Sequence, residues 1–281
     1  METLWIVLLG LLTAGYFALA GFDYGTALVV RHVGCDERAR REVLGAMTPF
    51  VLGNEVWLVA VAGVLFGAFP RLEGELLSGQ HGVFVVILVG LVLFTAAVQL
   101  RGSGPWWDVP LIAGALFVAV GWGVLAARLT GSSPLLWGPG MVVLFALHGA
   151  TFLAWRLPGF PGGRAHRLAR SLVLPCAVFA VVAAVLSGPV RHPWVALVGA
   201  LALLGLLFLA WRSSGLTAFV CTALACALPV PVVFAAQEVV TTSTMAHHNT
   251  LSLLAPVALV VVPLVLLFQW ATWWMFRASH A

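Results

Sequence analysis

The sequence alternates long apolar runs with short polar connections, and nine of these runs are long enough to cross a bilayer as helices. A membrane-spanning helix needs about 20 predominantly apolar residues. Only helices and closed barrels satisfy their backbone hydrogen bonds in lipid, and no run alternates as a barrel strand does. We therefore expect an all-α polytopic membrane protein, a single membrane domain over residues 1–281. The predicted spans are residues 4–30, 47–69, 82–100, 109–127, 135–155, 171–188, 193–211, 214–236 and 251–275.

The connections between the runs leave little sequence for a soluble domain. The longest are two predicted polar loops, Arg31–Met47 and Trp155–Arg170. The sixth, seventh and eighth runs are separated by only a few residues, so two of them can also be read as one helix. Nine spans is the count that we carry forward.

The composition excludes several classes of protein. Hydrophobic residues make up 62% of the chain and charged residues 9%, whereas soluble domains have roughly 45–50% apolar and about 25% charged residues. A soluble enzyme, a disordered chain and a nucleic-acid-binding module are therefore excluded. The net charge of +4 comes from 14 arginines that lie between apolar runs, so the basic residues should report topology and not a polyanionic ligand.

The placement of the arginines predicts the orientation. The even-numbered connections hold three arginines, and the odd-numbered connections together with the C-terminal tail hold the other eleven. Cytoplasmic connections carry an excess of Arg and Lys. We therefore predict that the N-terminus lies outside and the C-terminus inside. The eleven are Arg31, Arg38, Arg40, Arg41, Arg101, Arg156, Arg164, Arg167, Arg170, Arg212 and Arg277.

Two acidic residues lie inside predicted spans, where an ionisable group is costly and suggests function. Asp23 precedes Arg31 by eight residues, about 12 Å from the cytoplasmic end, and Glu55 lies about 20 Å from the same end. Thr48 shares a helical face with Glu55, and Asn54 precedes it. These four residues form a predicted proton path. The alternative is that both acids are interhelical hydrogen-bond anchors that never titrate.

The sequence predicts no metal site on this chain and offers one candidate haem ligand. His148 is the one good candidate for an axial haem ligand inside a span, but a lone intramembrane histidine is more often a packed hydrogen-bonding residue. The four cysteines, Cys35, Cys176, Cys221 and Cys226, form no C-x-x-C pair. Three of them lie in spans, where cysteine behaves as a small hydrophobic residue.

Two motifs carry a family resemblance. Gly21-Phe22-Asp23-Tyr24-Gly25 is followed, after a basic connection, by Pro49 and then Gly53-Asn54-Glu55-Val56-Trp57. In this order and spacing they resemble subunit II of the cytochrome bd-type quinol oxidases. The likeness returns at residues 149–153, 243–251 and 262–274, and this chain resembles a short, divergent member.

The resemblance implies a nine-helix, non-haem subunit in a bacterial plasma membrane, surrounded by lipid. It implies a homologous subunit I that holds haem b and haem d, oxidises quinol and reduces oxygen, and it allows for a small accessory subunit. The isolated chain would then carry no catalytic residue but would help cytoplasmic proton uptake. Asp23 occupies the acidic position of the family's first helix. Leu52 stands where the family usually has an acid, so a path here would rely on Glu55.

Two other functions compete with the oxidase subunit. A stand-alone proton-coupled transporter would use Asp23 and Glu55, although the sequence shows no convincing inverted repeat of broken helices. A haem-bearing cytochrome would depend on His148.

Overall fold

The computed structural model describes residues 2–186 and 190–276, which are predominantly helical and contain no strand. Within this part, nine segments are long and apolar enough to cross a membrane, which confirms the predicted all-α polytopic fold. The helices are α1 (Glu2–Val33), α2 (Glu37–Ala68), α3 (Pro70–Gly79), α4 (His81–Leu100), α5 (Asp108–Leu129), α6 (Pro134–Arg156), α7 (Gly159–Leu186), α8 (Pro193–Arg212), α9 (Gly215–Ala227), α10 (Pro229–Gln237) and α11 (His248–Met275). Short 3₁₀ turns, Arg101–Ser103 and Pro105–Trp107, join α4 to α5.

The closely spaced apolar runs form separate helices. Gly215 begins α9 with a φ of +57°, a left-handed conformation that ends the helical path of α8. The eighth span is itself divided into α9 and α10, because Pro229 has no N–H to continue the hydrogen-bond ladder. The end of the predicted sixth span, residues 187 and 188, lies outside the described residues.

The two predicted polar loops are wrong, because both segments are largely helical. The helix α2 begins at Glu37 and not at residue 47, and α7 begins at Gly159 and not at residue 171. At the start of α2, the Asp36 side chain accepts a hydrogen bond from Ala39 N at 2.8 Å, an N-cap that satisfies a free helical donor. Arg40 pairs with Glu37 one turn earlier. A polar cap and an ion pair therefore extend α2 beyond the apolar segment that hydropathy detects.

The connections at one end of the bundle carry most of the arginines. Arg164 donates to the His32 carbonyl at 2.9 Å, and Arg101 contacts Glu37 at 2.9 Å, so the first, third and fifth connections lie together. We call this the arginine-rich end. Arg277, which contributed to the sequence-based count, lies outside the described residues.

Close packing between α1 and α6 forms the centre of the bundle. A Cβ atom on Gly25 would overlap the Phe145 carbonyl, and a Cβ atom on Gly149 would overlap the backbone of Gly25. Two glycines thus let these backbones touch, as small residues do between membrane helices. The apolar segment of α6 is 61% buried, whereas the apolar segments of α7 and α11 are each 11% buried. The helices α7 and α11 therefore lie at the periphery.

Replacing Gly149 by alanine should destabilise the protein by about 1–3 kcal/mol, because overpacking forces the two helices apart. Gly63→Ala is the matched control, since a Cβ atom there meets nothing within 4 Å. It should change stability by less than about 0.5 kcal/mol. Thermal unfolding in detergent measures both variants, and equal midpoints would contradict the close approach.

Candidate functional site: a polar cluster inside the helix bundle

A chain of polar side chains joins α1, α2 and α11 across the apolar interior. Asp23 is 1% exposed, and its Oδ2 accepts a hydrogen bond from Asn54 Nδ2 at 2.8 Å. Asn54 Nδ2 also donates to the Leu19 carbonyl, and Asn54 Oδ1 accepts from Gln269 Nε2 at 3.1 Å. Gln269 Oε1 in turn accepts from Trp57 Nε1 at 3.1 Å. Asp23 and Asn54, two residues of the predicted proton path, are therefore in direct contact.

The opposite directions of α1 and α2 explain why the side chains of Asp23 and Asn54 meet. Helical side chains tilt toward the N-terminus of their helix, and α1 and α2 run in opposite directions. The side chains of Asp23 and Asn54 therefore lean toward each other. A Cβ atom on Gly53 would lie 3.4 Å from Thr272 Oγ1, an ordinary van der Waals distance, so Gly53 packs directly against α11.

Glu55 lies beside this chain but faces a different direction. Its Oε1 accepts a hydrogen bond from Thr95 Oγ1 of α4 at 2.6 Å, and the residue is partly exposed. Asp23 and Glu55 are close enough to interact electrostatically. Asp23 is thus the interior carboxyl group, and Glu55 is the carboxyl group at the seam between α2 and α4.

The only two tyrosines of the chain border the same region. Tyr16 and Tyr24 are buried and share a hydrogen bond of 3.0 Å, and Trp122 Nε1 donates to the Tyr16 hydroxyl at 3.3 Å. Both tyrosines lie near Asp23 and Glu55. The cluster therefore combines two carboxyl groups, amides and phenols inside an apolar bundle.

Thr48 is not part of the interior cluster. Its hydroxyl donates to the Leu44 carbonyl at 2.8 Å, and the residue is exposed on the outer face of α2. Leu52, one turn further on, is 65% exposed. Thr48, Leu52 and Glu55 thus follow one another along the outer face, while Asp23 lies behind this face.

His148 uses both ring nitrogens in hydrogen bonds. Nε2 lies 2.9 Å from the Ala18 carbonyl, so this nitrogen must carry the proton, and Nδ1 accepts from Thr222 Oγ1 at 2.8 Å. The ring is fully buried and stacks on Phe219. These contacts describe a packed hydrogen-bonding histidine and leave no nitrogen lone pair for a haem iron.

The cysteines do not assemble a metal site either. All four are free, with Cys35 exposed and the other three buried. Among the described residues, no group of three His, Cys, Asp or Glu side chains could hold a metal ion. Within residues 2–186 and 190–276, the histidine and cysteine side chains therefore do not fit a haem or a metal cluster.

A second group of charges lies at the arginine-rich end, and sequence reasoning missed it. Asp108 is 1% exposed and pairs with Arg101 at 2.5 Å and with Arg40 at 3.2 Å. Arg101 and Arg40 also contact Glu37. We call these four residues the buried ion-pair network. It ties the start of α2 to the connection between α4 and α5.

Sequence signals for the missed residues were present but weak. Gln269 is the only amide side chain in the ninth apolar run, which is unusual inside a membrane helix. Asp108 comes directly before an apolar run, so it was read as a residue of a polar connection. Thr95 resembles any other hydroxyl residue in a span, and only its contact with Glu55 distinguishes it.

The opposite end of the bundle has an exposed charge group. Glu238 ends α10 in a left-handed conformation, with a φ of +51°. His192 Nε2 and Arg191 Nη1 hydrogen-bond to its two carboxylate oxygens at 2.9 and 2.8 Å. These two contacts hold the pKa of Glu238 below its ordinary value. They join the segment before α8 to the end of α10.

Comparison with known proteins gives consistent results. Residues 1–276 match the family model described as cytochrome bd terminal oxidase subunit II. The chain is 27% identical to the cytochrome bd ubiquinol oxidase subunit 2 of Bacillus subtilis, over 100% of this chain and 97% of that protein. It is 31% identical to the cytochrome bd-I ubiquinol oxidase subunit 2 of Escherichia coli K12, over 32% of this chain and 24% of that protein. Its fold is similar to a chain in the structure of bd oxidase from Geobacillus thermodenitrificans, with a TM-score of 0.73, 14% identity and 99% coverage of both chains.

Proposed function

Because this chain belongs to the family of cytochrome bd terminal oxidase subunit II, we propose that it delivers protons to a haem-bearing partner subunit in a quinol oxidase of a bacterial membrane. In this proposal residues 1–281 form one membrane domain, and the partner, a homologous subunit I, oxidises quinol and reduces oxygen. The observation that carries the proposal is the pair of carboxyl groups, Asp23 and Glu55, set in a hydrogen-bonded cluster within an apolar bundle.

Each residue of the proposed path has a distinct part. Asn54 holds one oxygen of Asp23 and leaves Oδ1 without a hydrogen-bond partner, so this oxygen is available to hold a proton. Thr95 orients Glu55 at the seam between α2 and α4. Thr48 provides a hydroxyl on the outer face between the arginine-rich end and Glu55. In this proposal a proton passes between Asp23 and Glu55, which lie close to each other.

Glu55 also takes the place of the acid that the family resemblance leads us to expect at residue 52. Leu52 cannot carry a proton, and it lies on the same outer face as Glu55. We propose that Glu55, one turn further along that face, is the carboxyl group that exchanges protons with the partner.

The partner subunit should cover the outer face of α2. Leu52, Val59 and Phe66 are 65%, 70% and 55% exposed on this face, and Glu55 is partly exposed among them. A carboxyl group that faces lipid is costly, so a protein surface is the more favourable neighbour. A homologous subunit I packed against α2 would remove Glu55 from lipid and place it at the interface.

The haems belong to the partner subunit in this proposal. His148 has both ring nitrogens hydrogen-bonded, and the described residues present no other ligand set. Haem b and haem d are therefore assigned to subunit I, with quinol as the substrate of the complex. No described contact favours the alternative of a stand-alone transporter.

This chain expressed without its partner should show no Soret band, whereas the co-expressed pair should co-purify with haem. The physical reason is that His148 cannot bind iron without breaking one of its two hydrogen bonds. Absorbance spectra of both preparations measure the result. A stoichiometric band in the isolated chain that disappears in His148→Ala would contradict the assignment.

The arginine-rich end should face the cytoplasm, with the N-terminus outside. In a Cys35→Ser background, a membrane-impermeant thiol reagent added outside should label Thr3→Cys but not Arg38→Cys. Cys35 is replaced because it is exposed near Arg38. Labelling of Arg38→Cys alone would reverse the orientation.

A further inference from the structure

The carboxyl group of Asp23 has one oxygen without a partner, and so does a hydroxyl group one helical turn away. Asp23 Oδ2 is bonded to Asn54, but Asp23 Oδ1 and Thr26 Oγ1 are both buried with no hydrogen-bond partner. Asp23 is 1% exposed and Thr26 is 0% exposed. Two adjacent buried polar atoms without partners are unusual, because buried polar groups are nearly always hydrogen-bonded.

Thr26 differs from the other buried threonines of the described residues, whose hydroxyl groups are all hydrogen-bonded. A threonine inside a helix usually donates its hydroxyl proton to the carbonyl four residues earlier. Thr13, Thr48, Thr130 and Thr272 all make this bond, at distances between 2.7 and 2.9 Å. The Thr26 hydroxyl does not, although it is the most deeply buried of the five. Its polar group therefore has no local structural use.

Position on the helix brings the two atoms together. Residues three apart lie on one face of a helix, with Cβ atoms about 5–6 Å apart. Two side chains at this Cβ separation on one helical face can both direct an oxygen atom toward a single water molecule. A buried water typically bonds otherwise unsatisfied polar groups and is retained at such sites.

We propose that Thr26, through one bridging water, positions the proton that Asp23 holds on Oδ1. This inference rests on the proposed function, since it assigns a further residue to the same path. A proton that reaches the bridging water forms a new O–H bond there, while another O–H bond of that water breaks and its proton passes to Oδ1. The water and the Thr26 hydroxyl are unchanged after each transfer. Thr26 is thus a positioning residue that acts through Asp23.

The experiment uses the assembled two-subunit complex in proteoliposomes and compares four variants. Thr26→Val keeps the shape but removes the hydroxyl, and Thr26→Ser keeps the hydroxyl. Thr13→Val is the matched control. The Thr13 hydroxyl is hydrogen-bonded to the Leu9 carbonyl, and Thr13 lies about 15 Å from Asp23 along the same helix. Asp23→Asn identifies the infrared C=O band of the protonated Asp23 carboxyl group as the band that disappears.

Thr26→Val should lower quinol oxidase turnover on the order of tenfold, less than the ~10²–10⁴-fold contribution of a general acid or base itself. It should also shift the Asp23 infrared band. Thr26→Ser should keep both the turnover and the band near wild type, and Thr13→Val should leave both unchanged. A merely structural hydroxyl would not move the band of a neighbouring carboxyl group.

An unmoved band with wild-type turnover in Thr26→Val would overturn the proposal, and so would the absence of any band assigned to Asp23. If Thr26→Val does not assemble, Thr26→Ala takes its place, with the same band shift expected and an unmoved band decisive against the proposal. Wild-type turnover in Asp23→Asn would instead overturn the proton role of Asp23 itself. The two failures are therefore distinguishable.

Discussion

Replacing Glu55 by glutamine should lower quinol oxidase turnover at least severalfold, and by about 10²-fold where proton delivery limits the rate. Glutamine keeps the size of the side chain and can still accept the hydrogen bond from Thr95, but it cannot release and regain a proton. Asp23→Asn should act in the same direction, because it removes the interior carboxyl group. Oxygen consumption with saturating quinol measures turnover, and the haem spectrum reports assembly.

Glu75→Gln is the control for charge removal, because Glu75 is exposed on α3 at the opposite end of the bundle. It should leave turnover and spectrum unchanged. Wild-type turnover in both Asp23→Asn and Glu55→Gln would make the two carboxyl groups structural. Failure of these variants to assemble would favour their role as interhelical anchors, and the proton path would then have to be sought in the partner subunit.

Asp108→Asn should destabilise the protein by about 1–3 kcal/mol, because it removes the buried carboxylate between Arg101 and Arg40 and leaves them Glu37 as their shared acidic partner. Asp108 is 1% exposed and contacts both Arg101 and Arg40. The loss should appear as a lower thermal midpoint and as reduced accumulation in the membrane. Turnover per assembled complex should be unaffected, since the buried ion-pair network is separate from the polar cluster.

The matched control is Glu42→Gln at the same end of the molecule. Glu42 pairs with Arg38 at 3.4 Å, but the Arg38 side chain is 91% exposed. Solvent-exposed ion pairs contribute about 0–1 kcal/mol, so this variant should unfold close to the wild type. Equal midpoints for Glu42→Gln and Asp108→Asn would contradict a stabilising role of the buried network.

The sequence by itself determined the architecture and the two carboxyl groups. Lipid permits few backbone solutions, and each requires about 20 apolar residues, so nine runs predict nine helices. Asp23 and Glu55 could be recognised because acids are rare in such runs. The bounds of α2 and α7 could not be predicted in this way. The first turns of α2 are stabilised by the Asp36 cap and by ion pairs outside the apolar segment, and α7 begins with a polar segment that hydropathy does not detect.

Only the tertiary structure decided which polar groups meet. Asn54 and Gln269 are 215 positions apart, yet they share a hydrogen bond. The amide nitrogen of the same Asn54 side chain donates to Asp23. Hydropathy places a residue along the membrane normal but does not set the rotation of its helix or the neighbour that it faces. Those depend on packing, here on the contact of Gly25 with Gly149 and of Gly53 with α11. This packing turns Thr48 outward, buries Asp23, and leaves its second oxygen without a hydrogen-bond partner, as it does the hydroxyl of Thr26.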